Sequence, residues 1–297
     1  MNIQKTAIVS VVGRPNVGKS TLLNALVGRK VAIVSSKPQT TRTRITGVVN
    51  RGACQFVFQD TPGLHRPRSA LGEFMVKVVQ DTVADVDVVA LVVDPVPHLG
   101  QPERELIARI REYRLPAVLL INKIDVVPHE RLLSVIAAYA AVHEFQAVIP
   151  ISAKTGEGLG DMLDELEQFA FDGPQLFPDG MVSDQPERQL AAEIIREKLL
   201  DELEQEVPHG IAVEITRMQE REHVLAIDAT IYCEKKSHKG IIIGNHGAMI
   251  KQVGQRARRE IEQMLGTRVF LELWVKVKED WRNNPYQMRN FGYQSDG

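Results

Sequence analysis

The stretch GRPNVGKSTL (Gly13–Leu22) follows directly on the apolar run AIVSVV (Ala7–Val12). It satisfies G-x-x-x-x-G-K-[ST], with strand-like residues before it and helix-forming residues after it. Each part has a physical reason. Glycines let backbone N–H groups turn inward around phosphates, and a helix beginning near Lys19 adds its positive end. Lys19 reaches the outer phosphates, and Ser20 offers a ligand to Mg²⁺. Gly13, Arg14, Pro15, Asn16, Val17, Gly18, Lys19, Ser20 and Thr21 are therefore candidate triphosphate contacts. A strand, a tight turn and a helix in this order also commit the surrounding chain to an α/β layout.

The other apolar runs agree. CQFVFQD (Cys54–Asp60), VVALVVD (Val88–Asp94), AVLLINK (Ala117–Lys123) and AVIPISA (Ala147–Ala153) are continuously apolar rather than alternating. That is the signature of strands covered on both faces. Helical stretches such as PERELIARIREY lie between them, which predicts a mostly parallel sheet with helices on both faces. The pattern stops at FDGPQLFPDGMVSDQP (Phe171–Pro186), where Pro and Gly punctuate the chain. The expected division is a first domain over 1–172, a linker over 173–186 and a second, smaller α+β domain over 187–297.

Three further loops fall at strand ends. DTPG (Asp60–Gly63) places an acid where it can address the metal and a glycine N–H, that of Gly63, where it can sense the terminal phosphate. NKID (Asn122–Asp125, including Lys123) places a carboxylate where it can accept from both N1–H and the exocyclic amine of guanine. Adenine has no such donor pair, and its binding would leave the carboxylate unpaired. SAK (Ser152, Ala153, Lys154) can support the base through backbone N–H groups.

With these loops in this order, the first domain resembles the translation-factor-like GTPases. The resemblance implies GTP rather than ATP, hydrolysed to GDP with Mg²⁺. The loop SSKPQTTRTR (Ser35–Arg44) holds two adjacent candidates for the switch threonine, Thr40 and Thr41. In the Era/TrmE branch the threonine just before an arginine meets the metal, which implies Thr41, beside Ser20 and Asp60. The catalytic set is then Lys19, Thr41, Gly63 and Asn16. Many small GTPases orient water with a Gln straight after D-x-x-G, but here the position is Leu64, so unassisted turnover is expected to be slow. No arginine finger is assigned among Arg42, Arg44, Arg66 and Arg68. In relatives sharing PNVGKS and a TTR switch, the asparagine helps bind K⁺ where an arginine finger would act. Asn16 thus reads either as a K⁺ ligand or as a residue that only shapes the turn.

Net charge is −2, yet Glu187–Glu206 carries seven acids against Arg188, Arg196 and Lys198, while Lys235–Arg268 carries eight Lys/Arg against Glu260 and Glu262. Within the basic part, HKGIIIGNHGAMIKQVG (His238–Gly254) contains a G-x-x-G loop between helical stretches. The predicted order helix–strand–strand–helix–loop–helix–strand resembles the KH domain of prokaryotic type (type II). The resemblance implies that Gly244, Asn245, His246 and Gly247 clamp the backbone of about four single-stranded nucleotides. Lys235, Lys236, Lys239, Lys251, Arg256, Arg258 and Arg259 surround that groove in sequence and would supply its charge, with Lys239, Lys251 and Arg256 as the candidate contacts; the adjacent Arg258 and Arg259 cannot both face it. The family commonly has a basic residue in the place of His246, so a weaker phosphate contact is expected, strengthening in mild acid.

PNVGKSTLLNALVG, PQTTR, DTPG, NKID, GNHGAMIK, LELWVKVK and the ending FGY together resemble the Era family of ribosome-assembly GTPases over nearly the whole chain. The resemblance implies binding near the 3′ end of small-subunit ribosomal RNA and a part in 30S assembly. It also implies a monomer in the cytoplasm, with peripheral association at the inner membrane face. No apolar run approaches the roughly 20 residues needed to span a bilayer, and the start of the chain lacks a signal-peptide layout. Cys54 and Cys233 read as ordinary buried thiols. The alternatives are a GTP-gated membrane or cell-division factor whose basic face meets lipid headgroups, and a constitutive RNA-binding protein merely stabilised by GTP.

Overall fold

The computed structural model describes residues 3–64 and 67–293. Arg66, one of the arginines considered above, lies outside them. The chain divides into two compact units. One comprises residues 1–32, 41–66 and 75–184, and the other 33–40, 67–74 and 185–297.

The first unit is built on a seven-stranded sheet. Its strands are β1 (Lys5–Val12), β2 (Ile45–Arg51), β3 (Cys54–Asp60), β4 (Val88–Val93), β5 (Ala117–Ile121), β6 (Ala147–Pro150) and β7 (Phe171–Asp172). The order is β2-β3-β1-β4-β5-β6, with the short β7 antiparallel to the start of β1. β3, β1, β4, β5 and β6 run parallel. The helices are α1 (Lys19–Val27), α2 (Ala70–Ala84), α3 (Gln101–Glu112), α4 (Glu130–Ala140) and α5 (Leu159–Glu167). Alternate residues of one strand feed two cores. Val88, Ala90 and Val92 of β4 pack with Leu22 of α1 and Met162 of α5, while Val89, Leu91 and Val93 pack with Val79 of α2 and Leu106 of α3. This is why the strand runs are apolar at every position. The chemistry-bearing loops leave the carboxyl ends of β1, β3, β5 and β6, where open α/β sheets place their ligands.

Two features depart from the sequence reading. β2 is an additional strand, antiparallel to β3. Its hairpin turn is marked by Gly52 at φ 58°, a positive-φ turn signal between two apolar runs. The expected linker is in large part bound to the first unit. The buried Gln55 accepts from the N–H groups of Leu176 and Phe177 (both 2.9 Å) and donates to the Phe177 carbonyl (2.9 Å). The Val48 N–H donates to the carbonyl of Val182 at 2.9 Å. One buried amide thus orders a Pro/Gly-rich segment that lacks any periodicity of its own.

The second unit contains α6 (Glu187–Glu202), β8 (Ala212–Arg221), β9 (Val224–Cys233), α7 (Lys236–Ile243), α8 (Ala248–Leu265), β10 (Val269–Val277) and α9 (Pro285–Asn290). The sheet order is β10-β9-β8, with β8–β9 antiparallel and β9–β10 parallel. Val269 and Val275 of β10 enter the core with Val253, Ala257 and Ile261 of α8, and Leu271 and Leu273 pack against it. The Trp281 indole is fully buried and donates to the Gly210 carbonyl at 2.9 Å. Phe291 and Tyr293 close on that ring at centroid distances of 5.2 and 5.9 Å. Cys54 and Cys233 are buried free thiols.

Replacing Gln55 with Leu keeps the volume but strands two buried N–H groups. Urea unfolding of the Gln55→Leu variant is expected to show a loss of about 2–4 kcal/mol. Limited proteolysis is expected to cut between residues 175 and 184 first.

Candidate functional site

α1 starts directly after Gly18, which has φ 98°, and no side chain caps it. Its first N–H groups therefore remain for an anion. Lys19 is buried, and its ammonium donates to the carbonyls of Gly13 (3.2 Å) and Arg14 (3.0 Å). Burial pulls its pKa below the usual lysine value, with the Asp60 carboxylate acting in the opposite sense. Gly63 approaches the same loop closely: a Cβ there would lie 2.5 Å from the Pro15 nitrogen. Leu64 does not face this loop's mouth with its side chain. It is buried in the core with Val12, Val79 and Leu91.

Three oxygens converge beside Lys19. The Ser20 hydroxyl lies 2.6 Å from Asp60 Oδ2 and 2.9 Å from Thr41 Oγ1. The neighbouring Thr40 hydroxyl turns away and donates to the Lys37 carbonyl at 2.7 Å. Burial pushes the Asp60 carboxyl up to about 6, against the pull of Lys19 and Ser20. Its Oδ1 is buried without a hydrogen bond among the described residues. A buried hard-oxygen set with one carboxylate oxygen to spare fits Mg²⁺, which binds through one or two protein oxygens plus phosphate oxygens.

The base side is held by Asn122, whose amide is nearly consumed in clasping other loops. Its Nδ2 donates to the Val17 carbonyl (2.8 Å), and its Oδ1 accepts from the Ala153 N–H (2.9 Å). Asn122 therefore joins three loops rather than presenting its whole amide outward. The Ser152 hydroxyl donates to Asp125 Oδ1 at 2.8 Å, which orients a carboxylate that is itself exposed. Lys123 sits at φ 65°, and its ammonium donates to the Asn16 carbonyl (2.6 Å) and pairs with Asp94 (2.8 Å). Asn16 itself has φ 65° with an exposed side chain, the left-handed turn geometry that asparagine tolerates. Arg14 pairs with the buried Glu103 and with Asp94. Thr21 is half-buried and Lys154 exposed. Arg42 is buried, whereas Arg44 and Arg68 are exposed.

In the second unit, Gly244 joins α7 to the next turn at φ 72°, and a Cβ there would meet the Met249 Cβ at 2.6 Å. His246 is exposed and left-handed at φ 49°. α8 then begins after Gly247 without a side-chain cap. A cleft runs between α8 and β10, lined by Ile250, Lys251, Gly254, Arg258, Phe270 and Leu273 among others. Lys251 and Arg258 are seven residues apart and share one stripe of the helix. Lys239 is exposed on α7.

Arg256 corrects the sequence expectation. Five residues from Lys251, it lies well around the helix, where it pairs with Asp201 (3.1 Å) and Glu202 of α6. Arg258, one of the basic residues flanking the glycine loop in sequence, lines the cleft instead, together with Phe270, which carried no sequence signal. Helical spacing from Lys251 picks Arg258 rather than the adjacent Arg259; the aromatic needed the tertiary pairing of α8 with β10.

A family model for a 50S ribosome-binding GTPase matches residues 8–123, and a KH-domain model matches residues 206–282. A GTPase Era from Alkaliphilus metalliredigens is 50% identical over 292 residues, covering 98% of this chain and 99% of its own. One from Ruminiclostridium cellulolyticum is 48% identical over 293 residues, covering 98% of both. A crystal structure of Era in complex with MgGDPNP and nucleotides 1506–1542 of 16S ribosomal RNA superimposes with a TM-score of 0.95. It is 39% identical and covers 98% of this chain and all of that one. An Aquifex aeolicus Era variant bound to GDP·AlF4⁻ gives 0.94 at 39% identity, covering 98% of this chain and 100% of its own. None of these descriptions supports the membrane or cell-division alternative.

Asp60 must shed its proton to take a cation. Its raised value means that protons compete with Mg²⁺ below pH about 6 and not above it. With GDP bound, Mg²⁺ affinity is therefore expected to be flat above pH 7 and to fall towards tenfold per unit below 6. Isothermal titration across pH 5–8 checks this, with Asp60→Asn expected to weaken binding and flatten the profile.

Proposed function

The chain belongs to the Era family of GTPases, and from that premise we propose that it is a GTP-driven switch that binds single-stranded RNA near the 3′ end of small-subunit ribosomal RNA and serves 30S subunit assembly in the cytoplasm. It hydrolyses GTP to GDP. Phosphoryl transfer of this kind needs positioning and charge neutralisation more than covalent chemistry. Lys19 and the N-terminus of α1 hold the β and γ phosphates. Ser20, Thr41 and Asp60 are the residues that would hold Mg²⁺, which neutralises developing phosphate charge when bound. The Gly63 N–H meets the terminal phosphate, and its close approach to Pro15 keeps that group at the loop. Asp125, oriented by Ser152, takes guanine, with the Ala153 and Lys154 backbone in support. Because Leu64 is buried in the core, water is oriented by other groups, and turnover without a partner is slow.

The RNA reading is supported by the α8–β10 cleft, in which Lys251 and Arg258 of the helix that follows Gly244–Gly247 stand beside apolar residues such as Ile250, Phe270 and Leu273. Lys239, Asn245 and His246 stand exposed near its mouth in sequence. Fluorescence anisotropy with an oligonucleotide matching the 3′ end of 16S RNA tests it. Arg258→Ala is expected to weaken binding and lower the salt slope by about 1. Arg256→Ala is expected to bind like the parent, because that guanidinium is already paired with α6. Absence of RNA binding, or equal capture by anionic vesicles, would overturn the reading.

Asn16 also supports a proposal of K⁺ stimulation, since it is exposed on the phosphate loop where a monovalent cation could replace an arginine finger. The GTPase rate is expected to be higher in K⁺ than in Na⁺ at equal ionic strength. Equal rates, with Asn16→Ala fully active, would leave Asn16 as a turn residue alone.

A further inference from the structure

Arg14 opens the variable part of the phosphate loop, yet its guanidinium is taken up by two carboxylates. Its Nε pairs with Glu103 in the first turn of α3, and its Nη2 lies 3.5 Å from Asp94 Oδ2, directly after β4. The other Asp94 oxygen lies 2.8 Å from the Lys123 ammonium, which also donates to the Asn16 carbonyl at 2.6 Å. Lys19 in turn donates to the Arg14 carbonyl at 3.0 Å. All of these residues belong to the nucleotide-binding unit. Glu103, Arg14, Asp94 and Lys123 thus form one line of alternating charge, which meets the phosphate loop at Arg14 and again at Asn16. Glu103 is its buried end, only 1% exposed, whereas the other three are partly exposed. A first-turn acid suits the positive end of α3, but that role needs no burial. Desolvating a carboxylate is costly unless a cation engages it, and the cation paired with Glu103 is Arg14.

Arg14 and Asn16 flank Pro15, the residue that Gly63 approaches so closely. Backbone N–H groups that converge on a phosphate position repel one another until an anion arrives, so their arrangement has to be held from outside. We propose that Glu103 is a positioning residue for nucleotide binding: through Arg14, and across Asp94 through Lys123, it holds the phosphate loop in the shape that receives the phosphates. The Arg14 side chain is then a strut for the loop rather than a ligand to the terminal phosphate. A loop shaped in advance lowers the ordering penalty of binding for GTP and GDP alike. This inference rests on the reading of Gly13–Ser20 as the phosphate loop.

The test measures GTP and GDP affinity, steady-state GTP hydrolysis and the thermal midpoint in the full-length chain. The variants are Arg14→Met, Arg14→Lys, the pair Arg14→Met with Glu103→Leu, and Lys19→Ala. Arg14→Met leaves a buried carboxylate unpaired, so it is expected to lower both the thermal midpoint and nucleotide affinity. In the paired variant both charges are gone, and the midpoint is expected to recover while GTP and GDP affinity stay about tenfold below the parent. KM for GTP is expected to rise by a similar factor and the maximal rate to fall by no more than about threefold, since the lost interaction serves ground state and transition state alike. Arg14→Lys reaches one carboxylate rather than two and is expected to recover part of the affinity. If the paired variant does not fold, Glu103→Gln and Asp94→Asn carry the same measurement, with losses shared by GTP and GDP. Parent-like nucleotide affinity in the folded variants makes the charges a packing device and overturns the inference. A loss confined to GTP overturns it as well, by making Arg14 a contact to the terminal phosphate. Lys19→Ala is expected to bind GDP about tenfold or more weakly than the parent. Unchanged binding there overturns the phosphate-loop reading and this inference with it.

Discussion

Lys19 and Asp60 are the opposed charges on which the rest of the first unit depends. Burial disfavours the charged form of both, lowering the lysine's pKa and raising the carboxyl's, while each charge partly offsets the other's penalty. A polyphosphate with its divalent cation reverses both penalties together: the anion favours charged Lys19, and the cation favours charged Asp60. A site built this way discriminates against ligands that bring only one of the two charges. It also explains why Ser20 and Thr41 are gathered so tightly around the carboxylate.

The sheet makes that arrangement rigid. β1 and β3 are neighbours in parallel register, so Gly13 and Asp60 emerge at the same edge of the molecule. β5 and β6 do the same for Asn122 and Ser152. Asn122 then ties the phosphate loop to the base loops by hydrogen bonds to Val17 and Ala153. Lys123 adds a second tie, donating to the Asn16 carbonyl of the phosphate loop.

The second unit separates two uses of positive charge. Lys251 and Arg258 face the cleft beside β10, where a polyanion can be neutralised. Arg256 and Lys198 instead pair with acids between α6 and α8. The acidic and basic stretches thus partner each other in part: Asp201 and Glu202 of α6 pair with Arg256, and Glu260 of α8 pairs with Lys198. α6 consequently serves as a charged hub, holding α8 on one side and the loop of residues 33–40 on the other.

By itself, the sequence determined the elements whose signals are local. GRPNVGKS demands a strand before it and a helix after it, and DTPG, NKID and SAK each follow an apolar run, so the parallel sheet and the nucleotide loops were legible. The G-x-x-G loop was legible from its place in an element order. The tertiary structure alone decided features that depend on a distant partner. Residues 173–184 carry no pattern, and their order comes from Gln55 more than a hundred residues away. Thr40 and Thr41 are chemically identical in sequence, and only packing puts one beside Ser20 and the other against Lys37. Arg256 and Arg258 differ by two positions, yet about 200° of helical rotation sends one to acids and the other to the cleft. Local periodicity reports which way a backbone turns; which charge a side chain meets depends on what the fold brings opposite.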